Sequence, residues 1–359
     1  MKTQGSKLNF KGQNIYVGID VHLKSWSVTI LSESAVLKKF SQDPEPKALY
    51  TFLTTNYPGA NYKSVYEAGF SGFWAHYALI KLGIENIVIN PADVPMMMKE
   101  KLRKTDIVDC AKLARGLRSG ELVGIYVPPQ DALETRSLIR LRGQIVKDMM
   151  REKNRIKALL FFYGIRFPEQ FERPNTHWSK RFMQWLREIE LATPSGRKTL
   201  DLHIEKAEYH RSLLLQETRI IRELTRSEQF KDSMKLITSV PGIGVTIGIS
   251  FLTEIGDIGR FKNAYQLAAY IGLIPMCHSS GEKEYNGEIT IRKHATLRCN
   301  IIEAAWKSIR FDPAMTMAYE TYRQRMVANK AIVKIARKLV NRIFFVLKRK
   351  QEYVPCVVR

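Results

Sequence analysis

Lys104-Thr105-Asp106-Ile107-Val108-Asp109 opens a helical pattern that continues through Ala111, Leu113, Ala114 and Leu117 to Gly120. Residues three apart on a helix share a face, so Asp106 and Asp109 reach the same object. A salt-bridged surface helix would look the same, and two further acids separate the readings. Asp20 stands in Tyr16-Val17-Gly18-Ile19-Asp20-Val21-His22, and Glu67 in Ser64-Val65-Tyr66-Glu67-Ala68-Gly69. Each is an acid inside an apolar, strand-like run, where a charge is costly to bury without a partner. Carboxylates converging from two strands and a helix are what a hard divalent cation requires, because Mg²⁺ takes oxygen ligands. Asp20, Glu67, Asp106 and Asp109 are therefore the expected holders of a metal pair for phosphodiester chemistry, with Mg²⁺ as the ion and Mn²⁺ as the alternative.

Around these acids the pattern is α/β. Residues 1–13 read as a disordered basic leader. Ile15 to His22 reads as a central strand, and Trp26 to Leu31 alternates as a half-buried second one. Val36 to Phe40 closes an antiparallel meander. A helix over Pro46 to Tyr57, a strand over Ser64 to Ala68, a helix over Phe70 to Leu82 and a strand over Asn86 to Asn90 follow. A meander followed by alternating helices and strands is the order of an RNase H-like, resolvase-like domain. There the first acid lies on the first strand, the second at the end of the fourth, and the last on a late helix. A sugar-kinase or actin-like ATPase also carries Gly-x-Asp on its first strand. It would need a phosphate-cradling glycine turn, and none follows Asp20.

The chain has 359 residues, room for two or three domains. Its 57 Lys+Arg against 35 Asp+Glu give a net charge of +22. That surplus points to a polyanionic partner, nucleic acid before a membrane surface. Cys110, Cys277, Cys299 and Cys356 are scattered without a Cys-x-x-Cys pair, which speaks against a disulfide framework and a zinc site. The N-terminus lacks a signal-peptide core and no run approaches membrane-spanning length. The expectation is a cytoplasmic, nucleoid-associated protein with no membrane partner.

Pro128-Pro129 marks a boundary. Beyond it Leu138, Leu141, Ile145, Met149, Ile156 and Leu160 mark one amphipathic helix with a basic outer face, and Thr199 to Glu228 a second. The stretch between them is only weakly patterned. Two long helices bracketing a loop suggest a coiled coil that serves as a charged spacer, for dimerisation or RNA contact.

Leu236-Ile237-Thr238-Ser239-Val240-Pro241-Gly242-Ile243-Gly244-Val245 has the form of a helix-hairpin-helix. Gly242 and Gly244 allow a tight turn whose backbone N–H groups face a phosphate. After Pro275, His278-Ser279-Ser280-Gly281 reads as a short polar loop, followed by Arg292, Lys293 and Arg298, which suit binding of the phosphate that a serine hydroxyl would attack. Tyr322 to Lys350 reads as a basic amphipathic helix whose outer face meets nucleic acid. The resulting division is an RNase H-like catalytic domain over 1–127, a helical coiled coil over 128–232, a mainly α domain bearing the serine and the helix-hairpin-helix over 233–322, and a basic helix over 323–359.

The acids in this order, then Pro241-Gly242-Ile243-Gly244, Gly272-Leu273-x-Pro275 and Ser280-Gly281, resemble the DEDD insertion-sequence transposases over almost the whole chain. These pair a Holliday-junction-resolvase-like N-terminal domain with a serine-bearing C-terminal domain. The resemblance implies a DNA transposase and recombinase acting on double-stranded DNA at the element ends and target. It implies a non-coding bridge RNA that pairs with donor and target. It makes Asp20, Glu67, Asp106 and Asp109 the metal-binding quartet and Ser280 the nucleophile that joins a DNA end, preferred to Ser279 because it directly precedes Gly281. The family often has a glycine shortly after the basic residue that follows the serine, and Arg292-Lys293-His294-Ala295 has none. Because Ser280 lies some 170 residues beyond Asp109, the site must be composite, between domains or between subunits of a homodimer or homotetramer. The alternatives are a metal-dependent junction nuclease in which water attacks, and a nucleic-acid-binding protein without catalysis.

Overall fold

The computed structural model of the chain describes residues 9–94, 106–280 and 283–355. They divide into two units, one ending at Pro128 and the other starting at Pro129. In the first, Asn14–Val21 (β1), Trp26–Leu31 (β2) and Val36–Gln42 (β3) form the antiparallel meander. Pro46–Asn56 (α1), Asn61–Glu67 (β4), Trp74–Lys81 (α2) and Glu85–Ile89 (β5) follow, with β4 parallel to β1 and β5 parallel to β4. The sheet order is β3-β2-β1-β4-β5, compatible with an RNase H-like α/β domain. Ordered packing begins before residue 13, because Phe10 N–H donates to the Pro58 carbonyl at 3.1 Å and its ring meets Tyr57 edge-on.

The period-two alternation of β1 sorts its side chains onto two faces. Ile15, Val17, Ile19 and Val21 share a core with Leu49 and Leu53 of α1 and Ala75 and Leu79 of α2. Tyr16, Gly18 and Asp20 take the other face, which Asp106–Ser119 (α3) covers.

In the second unit Gln130–Phe162 (α4) and Pro194–Leu224 (α6) have 33 and 31 residues, so each spans about 50 Å at ~1.5 Å per residue. The pairs Glu152–His203 and Arg142–Glu217 show that the two run antiparallel. Between them Lys180–Glu188 (α5) and short turns fold Phe171, Phe182 and Leu186 onto Ile156 and Leu200. The weak sequence pattern there reflects a core built from turns rather than from one periodic element.

Lys231–Thr238 (α7), Val245–Ile255 (α8), Ala264–Ile271 (α9), Ala295–Phe311 (α10), Pro313–Arg323 (α11) and Ala328–Arg349 (α12) share the remaining core, with Ile237, Phe251, Leu267, Ile301 and Leu339 at its centre. Buried Asp312 caps α11 through the Ala314 N–H at 3.0 Å, and also takes Arg342 and the Tyr353 hydroxyl. Two expectations change. The stretch read as a polar loop is strand: Pro275–Ser280 (β6) pairs antiparallel with Lys283–Ile289 (β7). The C-terminal helix expected from Tyr322 starts at Ala328, since Tyr322 belongs to the last turn of α11. No described helix is long and apolar enough to cross a membrane.

Candidate active site

Asp20 and Glu67 end neighbouring parallel strands. The ladder pairs Gly18 with Val65 and Ile19 with Tyr66, and the two acids are the next residues along these strands, which lie about 4.8 Å apart. Both residues still belong to the sheet, Asp20 opposite Ser27 and Glu67 opposite Ile89. Both are half-buried, on the face that α3 covers.

That helix sits on the sheet backbone to backbone. A Cβ at Gly18 would stand 2.0 Å from the Cys110 carbonyl oxygen and 2.7 Å from the Ala114 nitrogen. Cys110 Sγ donates to the Ser27 carbonyl at 3.0 Å, Ala114 packs with Tyr16 and Leu31, and Leu113 packs with Val65 and Ile89. Passing from Ala114 to Cys110 therefore follows β1 from Tyr16 to Gly18, and α3 runs antiparallel to β1. Four helix residues advance about 6 Å and two strand residues about 6.6 Å. The next helix step back from Cys110 brings the Asp106 position to the Asp20 end of the strand, and half-buried Asp109 shares that first turn.

The Asp106 side chain lies outside the described residues. Among the described residues no three acid, histidine or cysteine side chains stand close enough to hold a metal ion. In kind the donor set fits a hard divalent cation: carboxylates on two adjacent strand ends and on a helix turn seated above them. His22, which sequence reasoning did not single out, places Nε2 2.9 Å from Asp20 Oδ2. Its spacing of two from Asp20 along a strand was the available signal.

In the second unit Ser280 is the last residue of β6, opposite Lys283. The side chains of Ser279 and Ser280, and all of Gly281, lie outside the described residues. The base of this hairpin is braced. Thr290 N–H donates to the Ile274 carbonyl at 2.9 Å. Arg298 Nη1 donates to the carbonyls of Gly272 at 2.9 Å and Thr290 at 2.7 Å, so this guanidinium is partly committed to the backbone. Arg292 and Lys293 are exposed on the segment leaving the hairpin, which crosses so close to Gly272 that a Cβ there would stand 2.6 Å from Lys293 Cβ. Gly272 also ends α9 in the left-handed region, at φ +88°.

The far end of this segment is tied down by an acid that sequence reasoning passed over. Glu254 is 2% exposed. Arg140 of α4 grips both its oxygens at 2.6 and 2.8 Å, and Arg136 Nε lies 3.4 Å away. His294 accepts the Leu297 N–H at Nδ1, capping α10, so its proton sits on Nε2 and is donated to Glu254 Oε2 at 3.1 Å. Burial alone pushes the Glu254 carboxyl up, but the hydrogen bonds from His294 and Arg140 outweigh it and hold it at about 2.

α7 and α8 enclose the turn of the expected helix-hairpin-helix. Gly242 has φ +96°, and a Cβ there would stand 2.4 Å from the Ala304 carbonyl, so α10 packs directly on the turn. Gly244 caps α8 and has open space where its Cβ would be. The first turn of α8 faces a cavity of about 370 Å³ onto which Arg142, Arg222 and Lys307 also open.

Comparison with known proteins agrees with both units. A family model for DEDD transposases of the IS110 type, described as "Transposase", matches residues 17–165. Another, "Transposase IS116/IS110/IS902 family", matches residues 234–320. The putative transposase y4qE of Sinorhizobium fredii is 28% identical over 69% of this chain and 58% of its own length. The putative transposase y4rJ of the same organism is 29% identical over 77% of this chain and 74% of its own. The transposase for insertion sequence element IS1111A of Coxiella burnetii is 26% identical over 76% and 74%.

Proposed function

Because the chain belongs to the DEDD transposases of the IS110 family, we propose that it cuts and exchanges the DNA strands of an insertion sequence with an acid quartet and a serine nucleophile. The observation that carries this reading is that Asp20 and Glu67 directly follow the paired Ile19 and Tyr66 on neighbouring strands, with α3 seated on Gly18 beside them. Asp20 and Glu67 hold one side of the site from an RNase H-like sheet, and Asp106 and Asp109 the other from the helix. Bound Mg²⁺ would polarise the scissile phosphate and ease deprotonation of the attacking hydroxyl.

Ser280 supplies that hydroxyl. Its Oγ–P bond forms as the P–O bond to one sugar breaks. The serine proton is lost and the departing sugar oxygen gains one. Attack by the hydroxyl of a second strand reverses the step and regenerates serine, so the phosphodiester energy is conserved. Arg292 and Lys293 meet the phosphates flanking the hairpin. The first turn of α8, after Gly242 and Gly244, meets the DNA backbone without reading sequence. A bridge RNA selects donor and target, and a homodimer or homotetramer assembles the acids of one unit with the serine of another.

The test is strand exchange between a donor and a target duplex, with the RNA, in Mg²⁺. Asp106→Ala and Ser280→Ala should each abolish exchange while leaving RNA binding intact. Wild type should leave a protein–DNA adduct on a denaturing gel. Cleavage without an adduct, unaffected by Ser280→Ala, would replace the serine with water and leave a junction nuclease.

A further inference from the structure

On the α4–α6 hairpin a cavity of about 260 Å³ opens between Met149, Lys153, Trp178, Met183, Arg211 and Leu214. Three observations on it go together. The floor is apolar and soft, with two methionines and two leucines, while Trp178 forms a wall and meets Phe182 edge-on at 5.2 Å. Trp178 also holds φ at +68°, a region that bulky residues enter only when the surroundings impose it. Its neighbour His177 supplies part of that constraint through a 2.7 Å bond to the Phe171 carbonyl.

The rim is cationic. Lys153 Nζ lies 5.1 Å from the Trp178 ring centre, and Arg211 and Lys157 are near enough to repel it. Burial first, and then these like charges, push the Lys153 ammonium below its ordinary range. The one carboxylate lining the cavity, Glu208, is engaged by Arg187. A half-enclosed cluster of like charges is costly for the protein alone and favourable around an anion.

We propose that this cavity takes a single unpaired nucleotide of a nucleic-acid strand, its base entering against Trp178 and the methionines and its phosphate meeting Lys153, Lys157 and Arg211. This rests on the reading of the chain as a nucleic-acid enzyme but assigns a site apart from its chemistry. The volume suits one ring system and lies below the range of drug-sized ligands. A base gives the indole a planar stacking partner, and the phosphate supplies the missing negative charge. A duplex keeps its bases stacked inside and offers nothing to the apolar floor.

The test uses the full chain with a 12-nucleotide RNA, a DNA of the same sequence, and the matching duplex, each carrying one 5-iodouridine. Irradiation should crosslink the single strands to the peptide containing Trp178. Arg211→Ala, at an exposed position, should weaken single-strand binding several-fold and lower the salt slope by about 0.7. Trp178→Leu should weaken it about ten-fold and Trp178→Phe far less, with duplex binding unchanged in all three. A preference for RNA would assign the site to a guide, and one for DNA to a displaced strand. Unaltered single-strand affinity and slope in Arg211→Ala, or crosslinks that avoid this peptide, would overturn the proposal. Mg²⁺-dependent cleavage by the same variants reports separately on the acid quartet.

Discussion

His294 Nε2 donates to Glu254 Oε2 across 3.1 Å, fixing the residue that directly follows Arg292-Lys293 to a buried carboxylate in the last turn of α8. The same imidazole caps α10, so its two roles can be separated. Asparagine is a good helix cap but is too short to reach Glu254. His294→Asn keeps a cap on α10 but removes one hydrogen bond from Glu254, so it should cost about 1–3 kcal/mol of stability while slowing strand exchange about ten-fold. A variant that exchanges strands at the wild-type rate would show that this segment needs no tether.

Acid should weaken the second unit through Glu254. Its carboxyl sits at about 2 in the folded chain against an ordinary 4.5. The unfolded chain therefore binds the proton first. The stabilisation is complete above the ordinary value and is lost as pH falls from there toward about 2. Glu254→Gln should cost about 3–5 kcal/mol at neutral pH by leaving Arg140 without its charge partner. Calorimetric melts should show that cost shrinking through the same acid window, and a gap independent of pH would remove Glu254 from the account.

Glu217 should act in the opposite sense. It is 4% exposed, neither oxygen has a hydrogen-bond partner among the described residues, and Arg142 Nε lies 3.9 Å away. Burial pushes its carboxyl up to about 7, with Arg142 opposing. Here the folded chain binds the proton more tightly than the unfolded one. Stability falls as pH rises from about 4.5 to about 7 and then levels off. Glu217→Gln should melt like wild type near the lower limit and ~2–4 °C higher at alkaline pH.

Gly18→Ala adds one methyl group where the Cys110 carbonyl already stands. The obstacle is backbone on both sides, so α3 must lift. The expected cost is about 1–3 kcal/mol or more. Mg²⁺-dependent cleavage should be lost while nucleic-acid binding by the second unit persists. Full cleavage by the alanine variant would mean that the carboxylates do not depend on this seat.

How much of this was legible follows from where each signal lies. β1 to β3 could be read because alternation is a local property, and Asp20 and Glu67 stood out as acids in apolar runs. Glu254 obeys the same rule within Ser250-Phe251-Leu252-Thr253-Glu254-Ile255. Its partners Arg140 and His294 lie 114 and 40 residues away, beyond the range of any pattern. His278-Ser279-Ser280-Gly281 reads as loop because the run Met276-Cys277-His278-Ser279-Ser280 has no β-branched residue. The remaining mark of the β6–β7 hairpin was a two-residue connection beginning with glycine. The seat of α3 was beyond reach for another reason: Gly18 reads as an ordinary strand glycine until a helix from 90 residues later is laid on it.

That seat determines how the proposed acid site would respond to force. With no side chain between Gly18 and the Cys110 carbonyl, the interface has no compressible cushion. Small pulls on α3 should reach the carboxylates undamped, and large ones should break the contact outright instead of stretching it. Such a joint behaves as a latch, engaged or released. A partner that controls cleavage through this helix would therefore switch the acids together rather than tune them one by one.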